Sequence, residues 1–108
     1  MTTSPSSLNE RVARACGFEY RIDQYGDMQI FDSDGEWRYV DFENEAQDAI
    51  LAAEKFGLFG DPHWCDIAFN GGKWFVFKEQ ERSYPDIELG EGTFPLAVSQ
   101  AIVRLAGE

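Results

Sequence analysis

Asp32-Ser33-Asp34-Gly35-Glu36 sets alternating carboxylates against a glycine, the opening pattern of a loop that wraps a calcium ion in oxygen ligands. The glutamate that closes an EF-hand loop is missing at the required spacing, and the flanking stretch from Phe18 to Phe31 has no helical periodicity. The segment therefore reads as a hairpin turn in which Asp and Gly satisfy the backbone. His63 and Cys65 lie two apart, which on a strand puts both on one side of a sheet and invites a pairing of nucleophile and base. Side chains on one strand project in parallel, however, and the chain has no second His, so Cys65 is expected to be a buried structural thiol. One His and two distant Cys do not compose a structural zinc site, and Gly71-Gly72-Lys73 belongs to a hairpin rather than to a phosphate-cradling strand-loop-helix unit. Acids are so abundant that no pair stands out as acid and base. The reading is non-enzymatic, with no cofactor and no metal.

Aromatic side chains carry more information. Trp37, Tyr39, Phe42, Trp64, Phe69, Trp74, Phe75 and Phe77 fall in or beside predicted strands. Alternation sends some of them away from the core, so Trp37 with Tyr39, or Trp74 with Val76, either covers a second helix layer, the favoured reading, or forms an exposed patch. If Trp37 or Trp74 stacks a base, Lys73, Lys78 and Arg82 are the clustered cations that could meet a nucleotide's phosphates, with the segment from Glu79 to Gly92 as a lid. Between Glu19 and Asp48, ten acids face only Arg21 and Arg38. Such a row could imitate DNA phosphates in a basic groove, and a merely solvated face is the plainer reading.

A net charge of −11 over 108 residues disfavours a direct grip on a nucleic-acid backbone, which relies on Lys and Arg displacing counterions. A protein partner with a basic surface is the better expectation. Hydrophobic residues at 44% are too many for a disordered chain, and the length suits one domain that buries a core without disulfide or metal staples. No apolar run approaches the ~18 residues that cross a bilayer, so no membrane association is expected. Cys16 and Cys65 form no CxxC pair, and Met1 to Pro5 is small and polar rather than leader-like, which points to reduced thiols and the cytoplasm.

Residues 1–6 are expected to be disordered and 7–108 to form one α+β domain. Ser7-Leu8-Asn9-Glu10 fits a capping box opening a helix that runs to about Cys16, with Leu8, Val12, Ala15 and Cys16 on one face and Gly17 as the left-handed stop. From Phe18 the period changes to two. Phe18 to Ile22, Met28 to Phe31 and Glu36 to Val40 read as strands joined by turns at Tyr25-Gly26-Asp27 and Asp32 to Gly35. Helical spacing returns between Glu43 and Phe56, with Asn44 as cap, Ala46, Ala49, Ile50, Ala53 and Phe56 as the inward stripe, and Gly57 as the stop. Cys65, Ile67 and Phe69 alternate, Asn70-Gly71 marks a hairpin, and Trp74 to Phe77 returns. Glu79 to Gly92 is read as a loop, and a last helix follows Thr93 or Phe94, with Pro95 in its first turn and Leu96, Ala97, Ala101 and Leu105 facing inward. The predicted order is αβββαββα, a five-stranded antiparallel sheet packed with three helices.

Three stretches resemble the phage ABA-sandwich domain family of small phage and prophage proteins: Leu8 with Val12-Ala13 leading to Gly17-Phe18; Ala46 to Gly57 with Ala49, Ala52, Ala53 and Glu54; and Thr93-Phe94-Pro95-Leu96-Ala97-Val98 through Ala101. The likeness also takes in Lys73-Trp74-Phe75-Val76. The chain differs in its acidic meander and in Phe42-Glu43-Asn44 before the second helix. The resemblance implies an α+β fold and a phage origin and transfers no active-site residue. Three functions are expected in turn: a phage-type protein that binds a protein partner, a small-ligand or nucleotide binder, and an acidic DNA mimic. A homodimer that buries a strand edge or aromatic patch is compatible with each.

Overall fold

The computed structural model describes residues 7–79 and 86–108. The expected disordered start and the candidate Arg82, with most of the lid's first half, lie outside them. Ser7 caps α1 (Leu8–Cys16), its Oγ accepting from the amide of Glu10, and Gly17 ends the helix in the left-handed region. A meander follows, β1 (Tyr20–Ile22), β2 (Met28–Phe31) and β3 (Trp37–Tyr39), then α2 (Ala46–Phe56). The chain continues through β4 (Asp66–Asn70), β5 (Lys73–Lys78), β6 (Ile87–Gly92) and α3 (Phe94–Ala106), which Thr93 caps through its hydroxyl.

The architecture is α+β and antiparallel, but it holds two three-stranded sheets, β1-β2-β3 and β4-β5-β6, instead of one sheet of five strands. The extra strand is β6, inside the stretch expected to be a loop. Its sequence Ile-Glu-Leu-Gly-Glu-Gly contains two glycines that read as breakers, yet Gly90 pairs with Val76 and Gly92 with Trp74. Gly90 is a site of close approach, since a Cβ built there would overlap the carbonyl of Ala97 in α3.

Both turns of the meander follow one chemical recipe. Asp23 Oδ1 accepts from the amides of Tyr25 and Asp27, Asp32 Oδ1 accepts from those of Asp34 and Glu36, and Gly26 and Gly35 take φ of 84°. The calcium-like motif is thus a turn whose first carboxylate is already engaged by backbone N–H groups. At the β4–β5 hairpin the two loop residues are Gly71 and Gly72, with φ of 61° and 80°, while Asn70 pairs with Lys73 in the ladder. The positive-φ pair therefore sits one residue later than the Asn-Gly signal suggested.

Val12, Ile30, Phe42, Ala52, Leu58, Val76, Val98 and Ile102 belong to one continuous buried cluster. Helix α3 is its centre, packing on β5 and β6 and against both other helices, while the first sheet meets α1 through β2. Helix α2 is rotated from its expected stripe. Ala49, Ala52 and Ala53 are buried whereas Ile50 is exposed, because α2 rests on α3 and α1 through its small residues. Its N-cap is Glu45 with no side-chain bond, and Asn44 instead donates to the carboxylate of Asp41. Ser99 is fully buried in α3 and donates to the carbonyl of Phe42, tying the chain between β3 and α2 to the central helix.

Gly90→Ala is expected to destabilise the fold by about 3 kcal/mol, at the top of the overpacking range, since backbone rather than a mobile side chain must move. Urea titration checks this through a lowered midpoint at unchanged slope.

Candidate functional site

The register of the meander sorts its side chains into two faces. Tyr20, Ile30 and Arg38 share one row, and Ile22 with Met28 and then Val40 the next row on that side; Met28, Ile30 and Val40 are buried. The alternate rows bring Arg21, Gln29 and Tyr39 together, and Phe31 beside Trp37. These side chains occupy the outer face, away from the helices. Trp37 and Tyr39 therefore lie on the face turned away from the helices, Trp37 half-buried against Arg21 and Phe31 and Tyr39 exposed, rather than in the expected contact with a second helix layer. Tyr39 is 61% and Phe31 42% exposed.

This outer face is ordered by specific contacts. The Arg21 guanidinium lies 4.2 Å from the centre of the Trp37 ring and donates to Gln29 Oε1 at 2.7 Å, and Phe31 meets Trp37 edge-on at 5.3 Å. The Tyr39 hydroxyl donates to Asp23 Oδ2 at 3.0 Å. The amide of Asp27 and then the Tyr39 hydroxyl hold the Asp23 carboxyl below its ordinary range, and Asp23 in turn raises the Tyr39 phenol. From the sequence, Arg21 and Asp23 fall in the acidic segment and Phe31 at a strand end, and none of them on the face of Trp37 and Tyr39. Their signal was the strand parity they share with Trp37 and Tyr39 across the two turns.

Tyr39 also borders a cleft of about 680 Å³ lined by the carboxylates of Glu10, Asp27, Asp41, Glu43, Glu45 and Asp48 and by no Lys or Arg. Buried Met28 and Val40 supply apolar lining. Asp41 and Asp48 are fixed rather than loose: Asn9 and Asn44 donate to Asp41, and Asp48 accepts the Asp41 amide at 2.9 Å and faces Arg38 at 3.5 Å. The acids are thus gathered at turns and around the cleft. They do not form the row along the outer side of the meander that a DNA mimic was expected to present, because Asp and Gly are the residues the turns require.

The remaining candidates are dispersed. Trp74 sits under α3, edge-on to Phe94 at 5.5 Å and 5.1 Å from Phe69, beside fully buried Val76, so this tryptophan does cover a helix layer. Lys73 and Lys78 occupy opposite ends of β5 and, five positions apart, opposite faces; Trp37 belongs to the other sheet. The described residues do not bring these cations together or beside Trp37. His63 and Cys65 precede β4 rather than sharing it. His63 stacks on Phe56 at 4.5 Å, and Trp64 between them takes a φ of 50°, which breaks the alternation. Cys65 is buried, and burial raises its thiol. Among the described residues no three His, Cys, Asp or Glu side chains are grouped to hold a metal ion, and no helix is long and apolar enough to cross a membrane.

No family model, curated protein or solved structure matches the chain.

Tyr39→Phe removes one of the donors to Asp23. The Asp23 pKa should rise part of the way and stay below the ordinary value, because the Asp27 and Tyr25 amides still donate; carboxyl NMR titration of both proteins measures it. Burial pushes the Cys16 thiol from 9.0 up to about 12. Above pH 9 the unfolded chain loses this proton while the folded one keeps it, so the contribution is complete below pH 9 and lost as pH rises from 9 to about 12. Cys16→Ala should show a shallower loss of stability across that window in denaturant titrations at stepped pH.

Proposed function

We propose that the chain is a non-enzymatic binding protein of the phage or prophage type, and that it engages a protein partner with a basic surface through the outer face of the meander and the adjoining acidic cleft. The observation that carries this reading is the outward-facing set of exposed Phe31 and Tyr39 with half-buried Trp37, on a sheet whose opposite face is core, next to a cleft lined by six acidic residues and by no Lys or Arg. Aromatic side chains give a partner large contact area at small entropic cost, and Trp and Tyr are the commonest anchors of protein interfaces. Prior contacts orient them here. Trp37 is held between Arg21 and Phe31, and Tyr39 is tethered to Asp23, so little freedom is lost on binding.

Charge completes the match. Arg38 pairs with Asp48 and Arg14 with Glu10, so among the described residues the cleft's uncompensated negative charge rests on Asp27, Asp41, Glu43 and Glu45. A Lys or Arg side chain can enter such a cleft with its stem along Met28 and Val40 and its head among the carboxylates. The dispersion of Lys73, Lys78 and Trp37 gives the nucleotide reading no comparable support.

Affinity capture on immobilised protein, followed by titration calorimetry with the purified partner, tests the reading. Trp37→Ala is expected to weaken binding by about 2 kcal/mol, roughly thirtyfold, and rising salt to slow association. Trp37→Ala and Tyr39→Ala leaving the affinity unchanged would remove this face as the interface.

A further inference from the structure

We propose that the outer edge of β4 pairs with the same edge of a second copy of the chain, joining two three-stranded sheets into one antiparallel sheet across a two-fold axis at Ala68. β4 leaves alternate backbone groups unused along this edge. Asn70 and Lys73 flank the two-residue turn and must exchange hydrogen bonds with each other, so Asn70, Ala68 and Asp66 direct their N–H and C=O groups into β5. Ile67 and Phe69 then direct theirs away from the sheet, and no described residue meets them.

The opposite edge of the same sheet is closed. Arg104 of α3 donates to the carbonyl of Glu88, and the amide of Glu91 donates to the side chain of Gln100. Both edge strands of the meander are only three residues long and carry an arginine at the centre. β4 has five residues, Asp-Ile-Ala-Phe-Asn, with no Lys, Arg or Pro and a single charge at one end, and it is exposed along almost its whole length. It lacks the devices that keep edges apart.

The sequence of β4 is complementary to itself in one register. With Ala68 on the axis, Ile67 of each copy faces Phe69 of the other, both with outward backbone groups, which completes four inter-chain hydrogen bonds. Asp66 faces Asn70, and the two Ala68 side chains meet in the close, non-hydrogen-bonded position, where small residues fit. No like charges face each other, although each copy carries a net −11. Shifting the axis to Ile67 would require the amide of Cys65, which already donates to Leu58. Phe69, 60% exposed in one copy, gains an apolar neighbour. Two strands of this length bury less surface than a standard interface, so the dimer should depend on concentration.

Opposed positions at a non-hydrogen-bonded antiparallel pair are about 4.5 Å apart between Cα atoms, within disulfide reach. Ala68→Cys, oxidised with diamide, should therefore give a covalent dimer, while Asn70→Cys, whose counterpart across the pair is Asp66, should cross-link far more slowly. Both sites are exposed, circular dichroism checks that both variants fold, and the native thiols are buried. Sedimentation should show a reversible dimer for the unmodified chain and a monomer for Ala68→Lys, and Trp37→Ala should leave cross-linking unchanged. Equal cross-linking of the two cysteine variants, no cross-linking of either, or a monomer at the highest attainable concentration would overturn the proposal without touching the partner face on the meander.

Discussion

Gly90 has no Cβ, and the backbone of β6 therefore lies against the carbonyl of Ala97 closely enough to seat α3 on the second sheet. Much else follows from that approach. Helix α3 is buried along most of its length, at Pro95, Ala97, Val98, Ser99, Ala101, Ile102 and Val103, because strands lie on one side of it and α1 and α2 on others. A helix enclosed in this way cannot be amphipathic in the usual sense, and its small residues are what let its neighbours come close. Ala49, Ala52 and Ala53 of α2 serve the same need from the facing helix. The bond from Ser99 to the Phe42 carbonyl then fixes where the chain leaves the meander, so the position of the first sheet depends on the seating of α3 on the second.

Enclosing the helices has a consequence for the surface. Each sheet spends one face on the core, and for the meander that face is Met28, Ile30 and Val40. Its other face has no described element to cover it, so the side chains of opposite parity are covered only by one another, with Gln29 and Trp37 half-buried and Arg21, Phe31 and Tyr39 exposed. A solvated face would be expected to carry polar side chains there. Phe31, Trp37 and Tyr39 are instead held in place by Arg21, Gln29 and Asp23. The fold accounts for the outward placement of these positions; it gives no reason for their aromatic identity, and the proposed partner contact would.

Local rules carried a good part of this structure in the sequence. Ser7, Gly17, Gly57 and Thr93 mark helix ends through capping chemistry that acts over three or four residues, and the turn at Asp32 follows from one carboxylate and one glycine. What was hidden depends on distant partners. Gly90 and Gly92 read as loop residues because their role is set by Ala97 and Leu96, which touch them only once α3 has docked. Ile50 belongs to the apolar stripe of α2 by spacing alone, and it is exposed because the stripe that meets α3 is the alanine one. The candidate site shows the same division. Trp37 and Tyr39 share a face by the period of a strand, but Arg21 and Phe31 join them only through the register of the meander, and whether a helix layer lay above them was beyond any local signal.

The two surfaces brought out by the fold differ in what their charges permit. Beside the meander the acids gather in a cleft lined by no Lys or Arg, with Glu10 and Asp48 paired to arginines and Asp27, Asp41, Glu43 and Glu45 left to set a negative field, which would favour a basic molecule over a second copy of this acidic chain. Along β4 the only charge is Asp66, and in the self-paired register it meets Asn70. A chain of net charge −11 can approach itself only where its own field is weakest, and β4 is the edge that combines low charge with unused backbone groups. Pairing there would leave the meander of each copy uncovered, since the meander and β4 belong to different sheets. Two equivalent partner faces on one dimer would raise the avidity for a partner that is itself repeated, with no new contact required.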